Sequence, residues 1–387
     1  MKLAITDVIP HVVFSGRGHL VLVEIRTNQG ITGIGEATLD SKVEAVVGAI
    51  HDLADYVIGE DPTRIEHHWQ RMFRHSFWRG GVVTGSALSG IEIALWDIAG
   101  KALGVPVYEL LGGAVHERIP LYVNGPEGQT PEEVARSAAR LAADGWTAMK
   151  LCPFPVTQPV AGAAEIRYAR QVIEQVRRAV GPEVEIAIDC LGRLTPVAAV
   201  QMAEALAEYG IFFYEEPILP ENIAALAEVA QRIAIPVATG ERLYFRSGFQ
   251  ALFERAAAQI IQPDLCHCGG LWEGKKIAAL AEGYGIAFAP HSPYSLVQTL
   301  VNLQVDVSCP NFLIQEYFIR GYLPVMQELF HEPLAIEPGK WVARPTKPGL
   351  GLEPNWEAIR FYGQQPYTRS LAGTPPLWHP DGSVADW

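Results

Sequence analysis

From residue 118 onwards, short apolar strands alternate with amphipathic helices, and this alternation constrains the fold more than any other feature. The strands are predicted at 119–123, 148–152, 184–189, 212–215, 237–240, 260–262, 287–290 and 312–315. Eight strands with intervening helices predict a closed parallel barrel of the α/β class. An open doubly wound sheet usually has fewer strands and a glycine-rich phosphate turn, and the sequence contains no G-x-G-x-x-G motif and no P-loop.

Three segments are predicted along the chain. Residues 1–117 contain a hairpin at 21–35 and helical patterns at 42–58, 62–77 and 85–103, which indicate a small α+β domain. Residues 118–320 form the barrel. Residues 321–387 are rich in proline and aromatic residues, and we expect this segment to pack back onto the first domain.

Composition excludes several classes of function. The 387 residues are 49% hydrophobic and carry a net charge of −13, which disfavours binding to nucleic acid or to anionic membranes. No apolar run reaches about 18 residues, so no transmembrane helix is expected.

The five cysteines have no disulfide-framework spacing, which favours a cytoplasmic protein. A zinc site at Cys266-His267-Cys268 is disfavoured because no second ligand pair follows at suitable spacing.

Ionisable residues stand at the ends of seven predicted strands. Active sites of parallel barrels lie at the C-terminal ends of the strands, so these side chains are expected to share one rim. A single such residue is usually a surface or capping charge, but their recurrence on seven strands favours a common site. The residues are Lys150, Asp189, Glu215, Glu241, Asp264, His291 and Glu316.

Three of these residues predict a metal site. Asp189, Glu215 and Glu241 are separated by 26 residues each, which is about one strand–helix unit. Three converging carboxylates repel one another unless a cation binds them, and oxygen ligands suit Mg²⁺. The alternative is a network of ion pairs supported by Arg193 and Arg242.

The remaining rim residues predict proton transfer. A carboxylate such as Asp264 beside His291 fixes the histidine tautomer and raises its basicity. Glu316 could hydrogen-bond a substrate carboxylate if it is protonated, and Lys150 adds positive charge near the metal.

With these residues in place, the sequence resembles the enolase superfamily, mandelate racemase subgroup, and is similar to acid-sugar dehydratases of the D-galactonate and D-mannonate type. The resemblance covers nearly the whole chain. The matching stretches include FWRGG (77–81), YEEP (214–217), TGER (239–242), QPDLCHCGG (262–270), APHSP (289–293) and TKPGLG (346–351).

The resemblance implies a modified TIM barrel, (β/α)7β, with an N-terminal α+β capping domain completed by the C-terminal tail. It implies Mg²⁺ on the three carboxylates, an Asp264–His291 dyad, and abstraction of the proton α to a carboxylate by a hydro-lyase. Capping loops near 14–20 and 74–82 would close the site over a small acid-sugar substrate, and a homo-oligomer between dimer and octamer is expected. Candidate substrate contacts are Trp78, Arg79, Arg193, Arg242 and His267.

The sequence departs from its relatives at two positions. Leu191 stands where the similar dehydratases carry a histidine, two residues after Asp189, and strand alternation predicts that it points into the site. Cys152 stands where racemases carry a second lysine. Cys152 could titrate only with a lowered pKa. Three interpretations stay open: a dehydratase in which His291 performs both proton transfers, a racemase or epimerase, and a metal-binding homologue with little catalysis and a regulatory role.

Overall fold

The first part of the chain contains a three-stranded antiparallel sheet. The computed structural model describes residues 2–16, 18–154, 157–318, 324–365, 377–379 and 381–385. Strands β1 (Ile5–Phe14), β2 (His19–Thr27) and β3 (Thr32–Glu36) pair in the order β1-β2-β3. The predicted hairpin is therefore present as β2–β3.

Four helices follow this sheet: α1 (Val43–Ala54), α2 (Ile65–Arg74), α3 (Val82–Leu103) and α4 (Val107–Leu110). Helix α3 is buried on most sides and packs against β3, where a Cβ on Gly35 would lie 2.0 Å from the carbonyl oxygen of Gly90. By length and hydropathy α3 could also cross a membrane, but 78% of its most apolar window is buried inside the protein. We therefore assign α3 as the central core helix of this domain.

Strands and helices then alternate as predicted, with eight strands and seven long helices in the described residues. They are β4 (Arg118–Asn124), α5 (Pro131–Ala143), β5 (Ala148–Leu151), α6 (Ala163–Val180), β6 (Glu185–Asp189), α7 (Pro196–Leu206), β7 (Ile211–Glu215), α8 (Ile223–Arg232), β8 (Val237–Thr239), α9 (Phe245–Glu254), β9 (Ile260–Ile261), α10 (Leu271–Gly283), β10 (Ala287–Phe288), α11 (Leu296–Asp306) and β11 (Gln315–Tyr317). A short 3₁₀ helix, Ala207–Tyr209, extends α7. The (β/α)7β prediction is confirmed.

The barrel strands lie in the order β10-β9-β8-β7-β6-β5-β4-β11, and all of their pairings are parallel. A single bridge between Phe288 and Phe312 joins the two ends of the sheet. The last strand was expected at 312–315, but β11 begins at Gln315. Phe312 forms the closing bridge to Phe288, and the regular pairing with β4 covers Gln315 to Tyr317.

The C-terminal segment contacts both parts of the molecule through α12 (Pro324–Glu328), β12 (Trp341–Ala343) and α13 (Trp356–Tyr362). Strand β12 pairs antiparallel with β4, a contact that the sequence did not predict. The rings of His11 on β1 and Trp356 on α13 lie 5.5 Å apart. Leu350 N–H donates to the buried Asp97 of α3. The predicted boundary at 320–321 lies outside the described residues.

Glu92 of α3 connects the first domain to the barrel. Its buried carboxylate accepts hydrogen bonds from Leu271 N–H at 2.8 Å and Trp272 N–H at 2.9 Å, the first two residues of α10. These N–H groups have no partner within their own helix, so Glu92 satisfies them from the neighbouring domain. The first domain is thereby held over the barrel rim.

Replacement of Gly349 by alanine tests the contact between the tail and α3. Gly349 has a φ of +70°, and an added Cβ would lie 2.2 Å from Asp97 Oδ1. We expect Gly349→Ala to lower the free energy of unfolding by about 1–3 kcal/mol more than Gly351→Ala, because only the first creates a clash. Gly351 has a φ of +80° but no atom closer than 3.6 Å to the added Cβ. Equal losses in urea unfolding would contradict this assignment.

Candidate active site

A cavity of about 460 Å³ lies at the C-terminal ends of the barrel strands, between the barrel and the first domain. The first domain contributes side chains that include Leu20, Thr38 and Val82. Most of the predicted rim and substrate-contact residues line the barrel side of this cavity. These are Lys150, Asp189, Arg193, Glu241, Arg242, His267 and His291.

Parallel strand ends bring the three acidic residues to one side of the rim. Asp189 and Glu215 end β6 and β7 and are paired neighbours, and Glu241 follows β8 by two residues. Burial raises the pKa of Glu215 well above its usual value, and the charges of Asp189 and Glu241 add to this effect. Burial likewise raises the pKa of Glu241 to about 7. The carboxylates therefore repel one another in a buried setting.

Lys150 partly offsets this repulsion. Its buried Nζ lies 2.5 Å from Glu215 Oε1, 3.0 Å from Glu316 Oε1 and 3.5 Å from Asp189 Oδ2. Burial alone lowers the pKa of Lys150, but these carboxylates outweigh it and raise the pKa well above its usual value. Lys150 is therefore positively charged.

The described residues contain no group of three or more His, Cys, Asp or Glu side chains already arranged as a metal site. Both oxygens of Glu215 are engaged, one by Lys150 and the other by Gln262 Nε2 at 2.6 Å. Arg242 does not take the place of a cation at the three carboxylates, because it pairs with Glu216 at 2.7 Å and lies 3.9 Å from Glu241. The metal ligands stay a prediction.

Asp264 and His291 are in direct contact. His291 Nδ1 lies 2.9 Å from Asp264 Oδ2, and Cys266 N–H donates to Asp264 Oδ1 at 2.8 Å. His291 Nε2 lies 3.2 Å from Glu241 Oε2. Burial lowers the pKa of His291, but Glu241 and Asp264 outweigh it and raise the pKa to about 10. His291 is therefore protonated on both ring nitrogens when Glu241 beside it is ionised.

Glu316 accepts hydrogen bonds at this rim. Its oxygens receive Ser292 N–H at 2.8 Å and the Asn124 side-chain amide at 3.2 Å, in addition to Lys150. Burial raises its pKa, but Lys150 and His291 outweigh this and lower the pKa. Glu316 is ionised in this arrangement, so it cannot donate a hydrogen bond to a substrate carboxylate.

His267 lies in the cavity wall between the first domain and Asp264. Its Nδ1 lies 2.8 Å from Ser86 Oγ. Its Nε2 lies 3.4 Å from the hydroxyl of Tyr294 and 3.6 Å from Asp264 Oδ2. Burial lowers the pKa of His267. The flanking Cys266 thiol is buried with a raised pKa, which does not favour zinc binding.

The other predicted substrate contacts fall in two places. Arg193 lines the cavity and donates to the Phe154 carbonyl at 3.3 Å and to Cys152 Sγ at 3.5 Å. Trp78 is 84% exposed, and Arg79 donates to nearby backbone carbonyls of its own loop. Neither Trp78 nor Arg79 lines the cavity in this arrangement, and their substrate contacts stay a prediction.

Neither departure from the related sequences supplies a second base. Leu191 lines the cavity, yet not through strand alternation: β6 ends at Asp189, and Leu191 adopts a φ of +55° with its N–H donating to Asp189 Oδ1 at 2.9 Å. Burial raises the pKa of Cys152 to about 11. The thiol is thus protonated at neutral pH, and the side chain at 191 is aliphatic.

Sequence reasoning missed several polar side chains of the site. Gln262 precedes Asp264 by two residues on the same strand end, so alternation along the strand could have identified it. Gln298 lies on a buried helix and contacts Asp264, and Glu36 in the first domain contacts the start of that helix. No local pattern predicts these two contacts.

The molecule is a closed parallel barrel with a separate α+β domain over one rim. Acidic and basic side chains meet at that rim, which is where parallel-barrel enzymes have their active sites. A family profile described as mandelate racemase / muconate lactonizing enzyme, N-terminal domain, matches residues 10–112. A second profile, described as enolase C-terminal domain-like, matches residues 133–358. The chain therefore belongs to the mandelate racemase/muconate lactonizing enzyme family of the enolase superfamily.

Individual relatives agree with this assignment. The D-galactonate dehydratases of Variovorax paradoxus (strain S110) and Ralstonia pickettii (strain 12J) are each 37% identical over 95% of this chain and 96% of the relative. A solved enolase superfamily member from Salmonella Typhimurium has a TM-score of 0.89 at 32% identity, covering 92% of this chain and 98% of that one. A mandelate racemase/muconate lactonizing enzyme from Sulfitobacter sp has a TM-score of 0.88 at 33% identity, covering 95% and 96%.

Replacement of Lys150 by methionine tests the charge balance of the rim. We expect Lys150→Met to lower the free energy of unfolding by about 3–5 kcal/mol in EDTA, because it leaves buried carboxylates unpaired. Lys347→Met, which removes an exposed ion pair with Glu332, is the control and should cost about 0–1 kcal/mol. Similar losses for the two variants in urea unfolding would show that Lys150 does not balance the rim.

Proposed function

We propose that the protein is a Mg²⁺-dependent acid-sugar dehydratase, which removes the proton α to a carboxylate and then eliminates the β-hydroxyl as water. The observation that carries this proposal is the Asp264–His291 pair, whose histidine lines the same cavity as Asp189 and Glu241. The relatives named D-galactonate dehydratase support an acid-sugar substrate. The cavity volume of about 460 Å³ falls in the range of small-molecule sites.

The donor set fits a hard divalent cation. Asp189, Glu215 and Glu241 offer only oxygen ligands, and the carboxyl groups of this rim outnumber its lysine and arginine side chains. Burial, together with the neighbouring carboxylates, raises the pKa of Glu215 and Glu241, and added positive charge would favour their ionised forms. We infer that these three residues hold Mg²⁺, which when bound would stabilise negative charge on the substrate carboxylate during proton removal.

His291 performs both proton transfers in this proposal. Asp264 holds the Nδ1–H, so Nε2 is the nitrogen that faces the substrate. Positive charge bound at Glu241 would offset the carboxylate that keeps His291 protonated, and Nε2 could then accept the α-proton. The resulting imidazolium returns that proton to the leaving β-hydroxyl as the C–O bond breaks, and one water molecule leaves. The enol that remains tautomerises to a 2-keto-3-deoxy acid. Lys150 supplies fixed positive charge beside the acidic side chains, and Glu316 orients Lys150.

A single base on His291 separates the candidate activities. Racemisation or epimerisation in both directions needs, on each face of the substrate, a group that can both take up and release a proton. The Leu191 side chain cannot do this, and the Cys152 thiol, with its pKa raised to about 11, does not act as a base at neutral pH. The lack of a second base also favours a second candidate function, that of a metal-binding homologue with little catalysis and a regulatory role. The two candidates differ in whether the α-proton of any acid sugar exchanges.

The proposal predicts turnover that depends on His291. The test incubates the wild-type protein and Mg²⁺ in D₂O with an acid-sugar library that includes D-galactonate and D-mannonate, followed by NMR. At least one member should yield a 2-keto-3-deoxy acid. His291→Asn should lower kcat by about 10²–10⁴-fold because it removes the acid and base. Cys152→Ser is the control and should leave kcat unchanged.

Two results would overturn parts of this proposal. If no library member exchanges its α-proton or loses water, the binding-only function is favoured. If His291→Asn keeps the wild-type rate on the true substrate, the proton is removed by another group.

A further inference from the structure

A buried glutamine on the helix after His291 contacts the proton-transfer pair. Gln298 lies on α11, and its side-chain Oε1 accepts a hydrogen bond from Tyr294 N–H at 3.0 Å. Because a backbone N–H can only donate, this contact fixes the orientation of the amide. Nε2 therefore faces the other way and donates to Asp264 Oδ2 at 2.9 Å, with the His291 carbonyl 3.4 Å away.

The amide of Gln298 completes the hydrogen bonding of Asp264. Oδ2 receives Gln298 Nε2 and His291 Nδ1, each at 2.9 Å, while Oδ1 receives Cys266 N–H at 2.8 Å. Three donors around one buried carboxylate restrict its rotation. A fixed carboxylate in turn fixes the plane of the imidazole and keeps Nε2 as the nitrogen available at the cavity wall.

The first domain holds the start of this helix through one side chain. Glu36, the last residue of β3, is fully buried, and its Oε2 accepts from Ser295 Oγ at 2.5 Å and from Gln298 N–H at 3.1 Å. Its Oε1 accepts from Thr38 Oγ1 at 2.7 Å. Ser295 directly precedes α11, so Glu36 anchors the first turn of the helix that carries Gln298.

We propose that Gln298 is a positioning residue for the Asp264–His291 pair and that Glu36 transmits the position of the capping domain to it. A continuous series of hydrogen bonds runs from β3 through the first turn of α11 to Asp264 and then His291. The first domain thus has a role besides lining the cavity. It holds His291 in the orientation that proton transfer requires. A small displacement of a catalytic group can lower the reaction rate steeply. The catalytic part of this inference rests on the proposed dehydration.

The test compares two buried glutamines of the same helix. Gln304 on α11 also accepts from a backbone N–H, that of Tyr108 at 2.9 Å, and donates to a backbone carbonyl, that of Leu350 at 3.2 Å, but it does not contact the pair. We expect Gln298→Met to lower kcat about 10–100-fold with KM unchanged, on the acid sugar that the wild-type protein dehydrates. Gln304→Met should keep kcat while losing similar thermal stability.

A second measurement does not require turnover. In protein labelled with ¹⁵N-histidine, the imidazole Nδ1–H signal of His291 is identified by its loss in His291→Asn. We expect this signal to shift or broaden at fixed pH in Gln298→Met and to persist unchanged in Gln304→Met. If the wild-type protein dehydrates no acid sugar, the proposed function fails, and this signal alone decides the role of Gln298. An unchanged signal, or equal kcat for the two methionine variants, would overturn that role.

The contribution of the first domain is tested by Glu36→Gln, which also serves if Gln298→Met does not fold. Glu24→Gln is the control, because Glu24 is a buried carboxylate of the same sheet that pairs with His11 and Arg26. Glu36→Gln should lower kcat and perturb the His291 signal, and Glu24→Gln should do neither. Wild-type kcat and an unchanged signal in Glu36→Gln would show that the capping domain does not position the base.

Discussion

The repulsion among carboxylates at the barrel rim is the constraint on which the site depends. Lys150 is the one lysine that contacts the group within the described residues, and it is shared by three acidic partners. Arg242 is committed to Glu216, which it holds with two hydrogen bonds. The acidic side chains of the rim therefore outnumber the basic side chains that neutralise them. A site of this kind is suited to a cation and to the negative charge that develops when a proton is taken from beside a carboxylate.

The barrel and the capping domain contribute differently to this chemistry. Successive strand ends place the acidic side chains, because parallel neighbours end on the same rim. The capping domain supplies no acid or base to the dyad. It lines one side of the cavity, satisfies the first N–H groups of α10 through Glu92, and holds the first turn of α11 through Glu36. Domain packing and the orientation of the His291 ring are thus connected by buried hydrogen bonds.

Much of the architecture follows from sequence pattern, and some of the site does not. Strand periodicity predicted the eight-stranded barrel and the rim positions, since each strand end is marked locally. The inward direction of Leu191 was expected from alternation, but its left-handed backbone produces it. The contact between Glu36 and Gln298 joins residues 262 positions apart and forms only when the two domains pack. Trp78 was expected near the substrate from motif resemblance and is exposed in this arrangement.

The central claim is that Asp189, Glu215 and Glu241 form one cation site beside the dyad. The most direct measurement is an anomalous difference map from crystals in which Mn²⁺ replaces Mg²⁺. The account predicts one strong peak within coordination distance of all three carboxylates, and its loss in Asp189→Asn. A peak at another group of side chains, or an intact protein that binds no Mn²⁺, would contradict it.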